Sequence, residues 1–257
     1  MRTTRGLPVT WPAALLLSAL SAALPARRLA AEVVVGMDKE IFANPEAADM
    51  VRQARSFDPA RSRPGNCQKA IECYEKAIAL QPGAKINAVL CNRIAELYAY
   101  AGAGGFGWTE RRAKAIAWWR RCVELTNPHQ SVWIKAQMGL GCTTFLVKKA
   151  QEGIESYQAV LAIDPEQMEV PDWRVAPDPN TEHGRRQRQG QLAVIRKLAQ
   201  QSRLKAVEMI HYVMMRSDRK ATVATLLKIA KQYEGTPIGK RAAELVDDAL
   251  KRTGKRL

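Results

Sequence analysis

The chain has 257 residues, 47% of them hydrophobic, 25% charged and 6% aromatic, with a formal net charge of +15. That apolar fraction is enough for a sizeable core and excludes a disordered chain, while 16 Gly and 13 Pro exclude a collagen-like or low-complexity one. Five cysteines exclude a disulfide-framework miniprotein, and no apolar run suits a multi-span membrane protein.

Residues 1–31 read as an address. Arg2 and Arg5 precede an apolar stretch from Trp11 to Leu24, and the small residues Ala23, Ala26, Ala30 and Ala31 offer cleavage positions. This order predicts a secretory signal peptide and a mature chain starting near Glu32. The protein is therefore expected to be exported, periplasmic or extracellular, with membrane association left open. Pro12 and Pro25 bound the stretch and argue against a permanent anchor. Charge then divides the remainder. Residues 32–181 hold 18 basic and 18 acidic side chains, whereas 182–257 hold 18 basic and 7 acidic, so the excess sits at the end.

One pattern occurs three times between residues 45 and 165. It runs Ala70, Tyr74, Ala77 to Pro82, then Ala115, Trp119, Cys122 to Pro128, then Gly153, Tyr157, Val160 to Pro165. A small residue four before a ring and another residue three after it share one helix face, so a neighbouring helix can approach while the ring fills the gap. The proline then ends the helix. Each copy has an upstream partner: Ala47, Met50, Val51, Ala54 and Phe57 for the first, Ile94, Ala95 and Tyr98 for the second, Leu140, Gly141 and Thr144 for the third. An insertion from Asp58 to Gly65 and a Gly-rich loop from Gly102 to Gly107 interrupt the first two copies.

These residues resemble the tetratricopeptide repeat, with its small residues and ring at fixed intervals and a closing proline. Gly141 and Gly153 stand 12 residues apart, the interval between that family's two small sites. The proline-to-proline spacings of 46 and 37 residues depart from the family's 34, and no copy keeps its first Trp in register. The resemblance implies an all-α fold, antiparallel helical hairpins stacked as a short α-solenoid over residues 32–165.

A Pro-rich connection is expected over 166–190, from Pro165, Pro171, Pro177, Pro179, Asn180 and Gly184, with helix resuming near Gln191. Leu192, Ile195, Ala199, Ala206, Met209 and Val213 then keep a helical spacing. A second helix is predicted from about Asp218 to Tyr233. Gly235 is expected as a C-cap, Thr236 as an N-cap and Pro237 as the first residue of a last helix. Residues 191–257 thus form basic C-terminal helices, open to being a further divergent repeat.

Chemistry is sparse. His129, His183 and His211 stand in no metal-ligand spacing, and Cys67, Cys73, Cys91, Cys122 and Cys142 form no CxxC. Gly102–Gly107 lacks the Lys-Ser/Thr of a phosphate loop. No catalytic, cofactor-binding or metal residue is assigned, and a non-enzymatic protein is expected.

The tetratricopeptide resemblance implies a peptide or protein partner bound on the first helix of each pair. That face carries Val89, Asn92, Glu96, Ala99 and Tyr100, then Lys135, Met138, Cys142, Phe145 and Leu146. The candidate groove is Asn92, Glu96, Tyr100, Lys135, Met138 and Phe145. With one Lys and one Asn it does not match the Lys, Asn and Arg set of the members that clamp a C-terminal carboxylate. Phe145 and Leu146 have packing against the next helix as an equal alternative. Arg185, Arg186 and Arg188, with Lys251, Arg252, Lys255 and Arg256, form a candidate basic surface for anionic lipid or an acidic wall polymer. Nucleic acid is the least favoured partner, since no recognition helix, RRM or zinc pattern occurs.

Overall fold

A computed structural model describes residues 42–57, 64–100, 106–171, 178 and 180–252. The signal-peptide expectation, residues 58–63 of the first insertion, residues 102–105 of the Gly-rich loop and residues 172–177 and 179 of the expected connection lie outside them. The described residues fold entirely into helix and connecting turns. In chain order the helices are α1 (Pro45–Phe57), α2 (Pro64–Leu80), α3 (Asn87–Tyr100), α4 (Trp108–Glu124), α5 (Ser131–Leu146), α6 (Ala150–Leu161), α7 (Glu182–Ser217), α8 (Arg219–Gln232) and α9 (Pro237–Arg252), with one 3-10 turn at Pro165–Gln167.

Consecutive helices pair: α1 with α2, α3 with α4, α5 with α6, and α8 with α9. The pairs are joined in series through α2 on α3 and α4 on α5, and α3 also lies against α5. Beyond α6 the order changes. Helix α7 packs on α6, α8 and α9, and crosses to touch α5.

The repeated pattern is buried throughout. Ala70, Tyr74, Ala77, Ala115, Trp119, Cys122, Tyr157 and Val160 are all at most 3% exposed. The rings need the glycines opposite them. A Cβ placed on Gly139 would meet the Trp119 indole at 2.3 Å, and one on Gly141 would meet the Tyr157 ring at 2.6 Å. On Gly153 it would come within 2.8 Å of the Gly141 carbonyl oxygen, so α5 and α6 touch backbone to backbone there. Trp118, beside the buried Trp119, keeps partial exposure with the Arg121 guanidinium over its ring.

The second half of the molecule is held by aliphatic side chains. Ile195, Val207, Ile210, Val213, Leu226, Ile238 and Val246 join Tyr157, Val160 and Leu161 in one continuous core. Around it, Glu208 accepts from Lys205 at 3.0 Å and from Arg241 at 2.9 Å, tying α7 to α9. The Leu161 carbonyl, at the end of α6, accepts from the Arg203 Nε at 3.0 Å and from the Tyr233 hydroxyl at 3.1 Å.

Two starts follow the sequence closely. The Asp218 carboxylate accepts from the Ala221 N–H at 2.9 Å and caps α8, and the Thr236 Oγ1 accepts from Gly239 ahead of a helix opening at Pro237. Gly235 takes the left-handed conformation, φ 75°, but the C-cap of α8 is Tyr233, two residues before the expected position. The start of α7 differs from the expectation. It begins at Glu182, not near Gln191, so the last nine residues of the expected connection are helical. Thr181 supplies the cap, its Oγ1 accepting from Gly184 at 3.0 Å. Gly184 is no breaker: a Cβ there would strike the Asp178 carbonyl oxygen at 1.9 Å, so it serves close approach inside the first helical turn.

Candidate functional site

The candidate groove rests on α3 and α5, which lie against each other. Its members have unequal fates. Asn92 is buried, and both ends of its amide are engaged: Nδ2 donates to Glu96 Oε1 at 2.9 Å, and Oδ1 accepts from the Trp119 indole N–H at 3.2 Å. It holds α3 to α4. Glu96 is half-buried and also accepts from Arg93 at 2.7 Å. Met138 is buried in the shared core, and Ala99 and Cys142 are buried as well. Phe145 packs edge-on against Tyr212 of α7, with centroids 5.9 Å apart, so the long helix takes up that end of the face.

Val89, Glu96, Lys135 and Leu146 keep partial exposure, and Tyr100 is 41% exposed. The open part of the face is therefore α3 with the first turns of α5. Tyr100 stacks at a tilt on Trp119, 6.0 Å between centroids. Desolvation against its neighbours, with Cys142 and Glu96 acting the same way, raises its hydroxyl well above the ordinary value.

One residue of this region escapes a reading by composition. Arg112, on α4, is only 7% exposed, and its Nη1 has no hydrogen-bond partner. Its guanidinium lies over the Trp108 ring, 5.3 Å from the centroid. Burial lowers its pKa, partly offset by Tyr100 and Cys142. The Tyr157 hydroxyl, likewise buried and without a partner, is pushed well above its usual range by burial, then by Cys142 and Tyr100. In sequence, Glu110-Arg111-Arg112 reads as a solvated run. The available signal was spacing, because 112, 115, 119 and 122 fall on the buried face of α4.

The cysteines pack as small apolar groups. Burial raises Cys91 to about 12 and Cys142 to about 11, so both stay protonated at neutral pH. Among the described residues no His, Cys, Asp and Glu gather in a set able to hold a metal ion. His183 hydrogen-bonds Gln187 on the surface, and His211 faces Asp248 at 3.7 Å.

The basic surface is the start of α7. Arg185, Arg186 and Arg188 are exposed, as is every residue from 185 to 190. Arg186 pairs with Glu182 one turn back, and Arg185 donates to the Asn180 carbonyl at 3.1 Å. Lys251 is exposed at the end of α9, while the Arg252 side chain, Lys255 and Arg256 lie outside the described residues. No described helix is long and apolar enough to cross a membrane.

No protein-family model matches this chain, and no curated protein or solved structure matches it either.

Proposed function

We propose that the chain is a divergent, exported tetratricopeptide-like scaffold that binds a peptide or protein segment without catalysing a reaction. The observation that carries this reading is the composition of the open face. Val89, Glu96 and Tyr100 of α3 and Lys135 of α5 keep exposed surface on two helices packed side by side, presenting an aliphatic group, a ring, an acid and a base. Such a face offers contact area from Tyr100 and Val89 and register from the charges. The ring-against-glycine packing of α5 and α6 supports the repeat resemblance, since close helix approach is what that pattern of small residues provides.

The test uses the full chain to select binders from a random-peptide display library. Exchanging the charges in the double variant Glu96→Lys with Lys135→Glu is expected to abolish or re-specify the selected peptides. Changing Arg185, Arg186 and Arg188 to Gln is expected to spare them. A selection unaffected by the exchange would reject the groove.

A second reading has its own observation. Three arginines within six consecutive exposed residues at the start of α7 make a surface suited to a polyanion, such as anionic lipid. Binding to phosphatidylglycerol vesicles that falls steeply with salt, and that is lost in the triple Gln variant, would favour it.

A further inference from the structure

We infer that the outer face of α8 seats the protein on an anionic bilayer, with Lys220, Lys228 and Lys231 against lipid phosphates and Leu227 entering the acyl boundary. This surface is separate from the face on α3 and α5 and from the arginines at the start of α7, and it rests on neither.

The helix itself lays the surface out. Arg219–Gln232 holds four basic residues and no acidic one. Thr222, Leu226 and Ile229 are buried and define the side turned to the core, where α8 packs on α7 and α9. At about 3.6 residues per turn, Lys220, Ala224, Leu227, Lys228 and Lys231 fall within an arc of roughly 100° on the opposite side. All five are exposed, Leu227 at 51%.

Elsewhere in this half of the molecule many cations are answered. Arg186 pairs with Glu182, Arg196 with Glu166, and both Lys205 and Arg241 with Glu208. Among the described residues, Lys220, Lys228 and Lys231 have no such partner. The acid before the helix, Asp218, is engaged as the cap, accepting from the Ala221 N–H at 2.9 Å. The next acid, Glu234, stands beyond the helix end. A continuous positive stripe is left facing water, with a leucine in it.

Charge alone would suit any polyanion, and the leucine selects among them. An aliphatic side chain gains little beside a nucleic-acid backbone or an acidic polymer, but it gains by leaving water for acyl chains. Lysine fits the same boundary, because its methylene stem lies along apolar surface while the ammonium stays at headgroup level. It is also a flexible point charge, suited to a diffuse array of headgroups, whereas bidentate capture of a single phosphate favours arginine. Three lysines and one leucine give a reversible, peripheral attachment, each lysine strengthening it about fivefold. That agrees with the absence, among the described residues, of a helix able to cross a membrane.

The test is co-sedimentation of the full chain with phosphatidylcholine vesicles, with and without phosphatidylglycerol, and binding to soluble polyphosphate. Neutral vesicles read any attachment through the apolar stretch Trp11–Leu24. Phosphatidylglycerol is expected to add binding at low salt that falls as salt rises. The triple variant Lys220→Gln, Lys228→Gln and Lys231→Gln is expected to lose it roughly a hundredfold, with an unchanged far-UV circular dichroism spectrum. Leu227→Ser is expected to weaken vesicle binding severalfold and to leave polyphosphate binding as in the parent. Leu227→Trp is expected to bind vesicles more tightly, with blue-shifted emission over the parent's. Absence of added binding at low salt would overturn the proposal. So would vesicle binding indifferent to both changes at Leu227, which would make the stripe a site for soluble polyanions. Binding kept in the lysine variant but lost when Arg185, Arg186 and Arg188 become Gln would assign the lipid to α7 instead.

Discussion

The hairpins up to α6 and the helices from α7 onward solve the packing problem differently. In the first region rings are seated against glycines: Trp119 on Gly139 and Tyr157 on Gly141, with Gly153 against the Gly141 backbone. Buried polar groups are woven in, including Asn87, Asn92, Arg112, Thr143 and Thr144. In the second region the core is aliphatic, its buried polar residues are Ser202 and Thr222, and the charges stay outside in the Lys205, Glu208 and Arg241 network. One region is specified by shape, the other by pattern. Shape specification tolerates little change in volume, while a patterned aliphatic core tolerates more.

Deletions give the largest contrast. Tyr157→Ala is expected to lose about 3–5 kcal/mol in a denaturant titration, because the ring fills a slot that no neighbour can enter. Leu226→Ala, fully buried in α8, is expected at about 2–4 kcal/mol, with partial collapse of flexible neighbours. If Tyr157→Ala costs under about 1 kcal/mol, the shape-specified description of the first region fails.

Additions come next. Alanine normally favours an interior helix position over glycine by about 1 kcal/mol. Gly141→Ala is nevertheless expected to destabilise by about 1–3 kcal/mol, since the new methyl would meet the Tyr157 ring at 2.6 Å. Pairing it with a smaller side chain at 157 should recover part of the loss, a coupling visible in a double-mutant cycle.

The charged network of the second region sets a pH-dependent effect. Burial alone would raise the Glu208 carboxyl, but Lys205 and Arg241 outweigh it and hold the group below its ordinary 4.5. A depressed folded value contributes stability above the ordinary value and loses it as pH falls through the folded one. Glu208→Gln is expected to cost about 1 kcal/mol at neutral pH. That difference should shrink toward zero as pH falls below the ordinary 4.5 and through the depressed folded value. A difference unchanged at low pH would mean that packing, not charge, joins α7 to α9. The smallest effect is the control: Gly190→Ala, on the open stretch of α7 where nothing lies within 4 Å, is expected to stabilise by about 0.5–1 kcal/mol.

The features legible in the sequence were those set by local chemistry. Asp218, Thr236 and Pro237 mark helix starts because capping needs only neighbours in the chain, and Gly235 marks the turn after α8 because side chains rarely adopt its φ of 75°. The ring-and-small-residue faces were legible for the same reason of spacing. The start of α7 was not, because Pro177, Pro179 and Gly184 read as breakers when Gly184 in fact answers a contact with Asp178. On the candidate face, residue type indicated which helices to consider but not how α7 would cover Phe145 through Tyr212. Arg112 was hidden because a charged side chain is read as solvated, whereas in the fold it lies on the buried face of α4 with its guanidinium over the Trp108 ring.

The hydrogen bonds at Leu161 have a consequence in time. Its carbonyl closes α6, and the Tyr233 hydroxyl that it accepts from lies 72 residues later in the chain. A polypeptide emerging from its N-terminal side first completes the third hairpin's sequence long before it delivers this donor. Until then Tyr157 has its seat on Gly141 but lacks the aliphatic neighbours that α7, α8 and α9 bring to the same core. The burial of the ring and the capping of α6 are therefore completed by residues far along the chain, which couples the third hairpin's stability to the C-terminal helices.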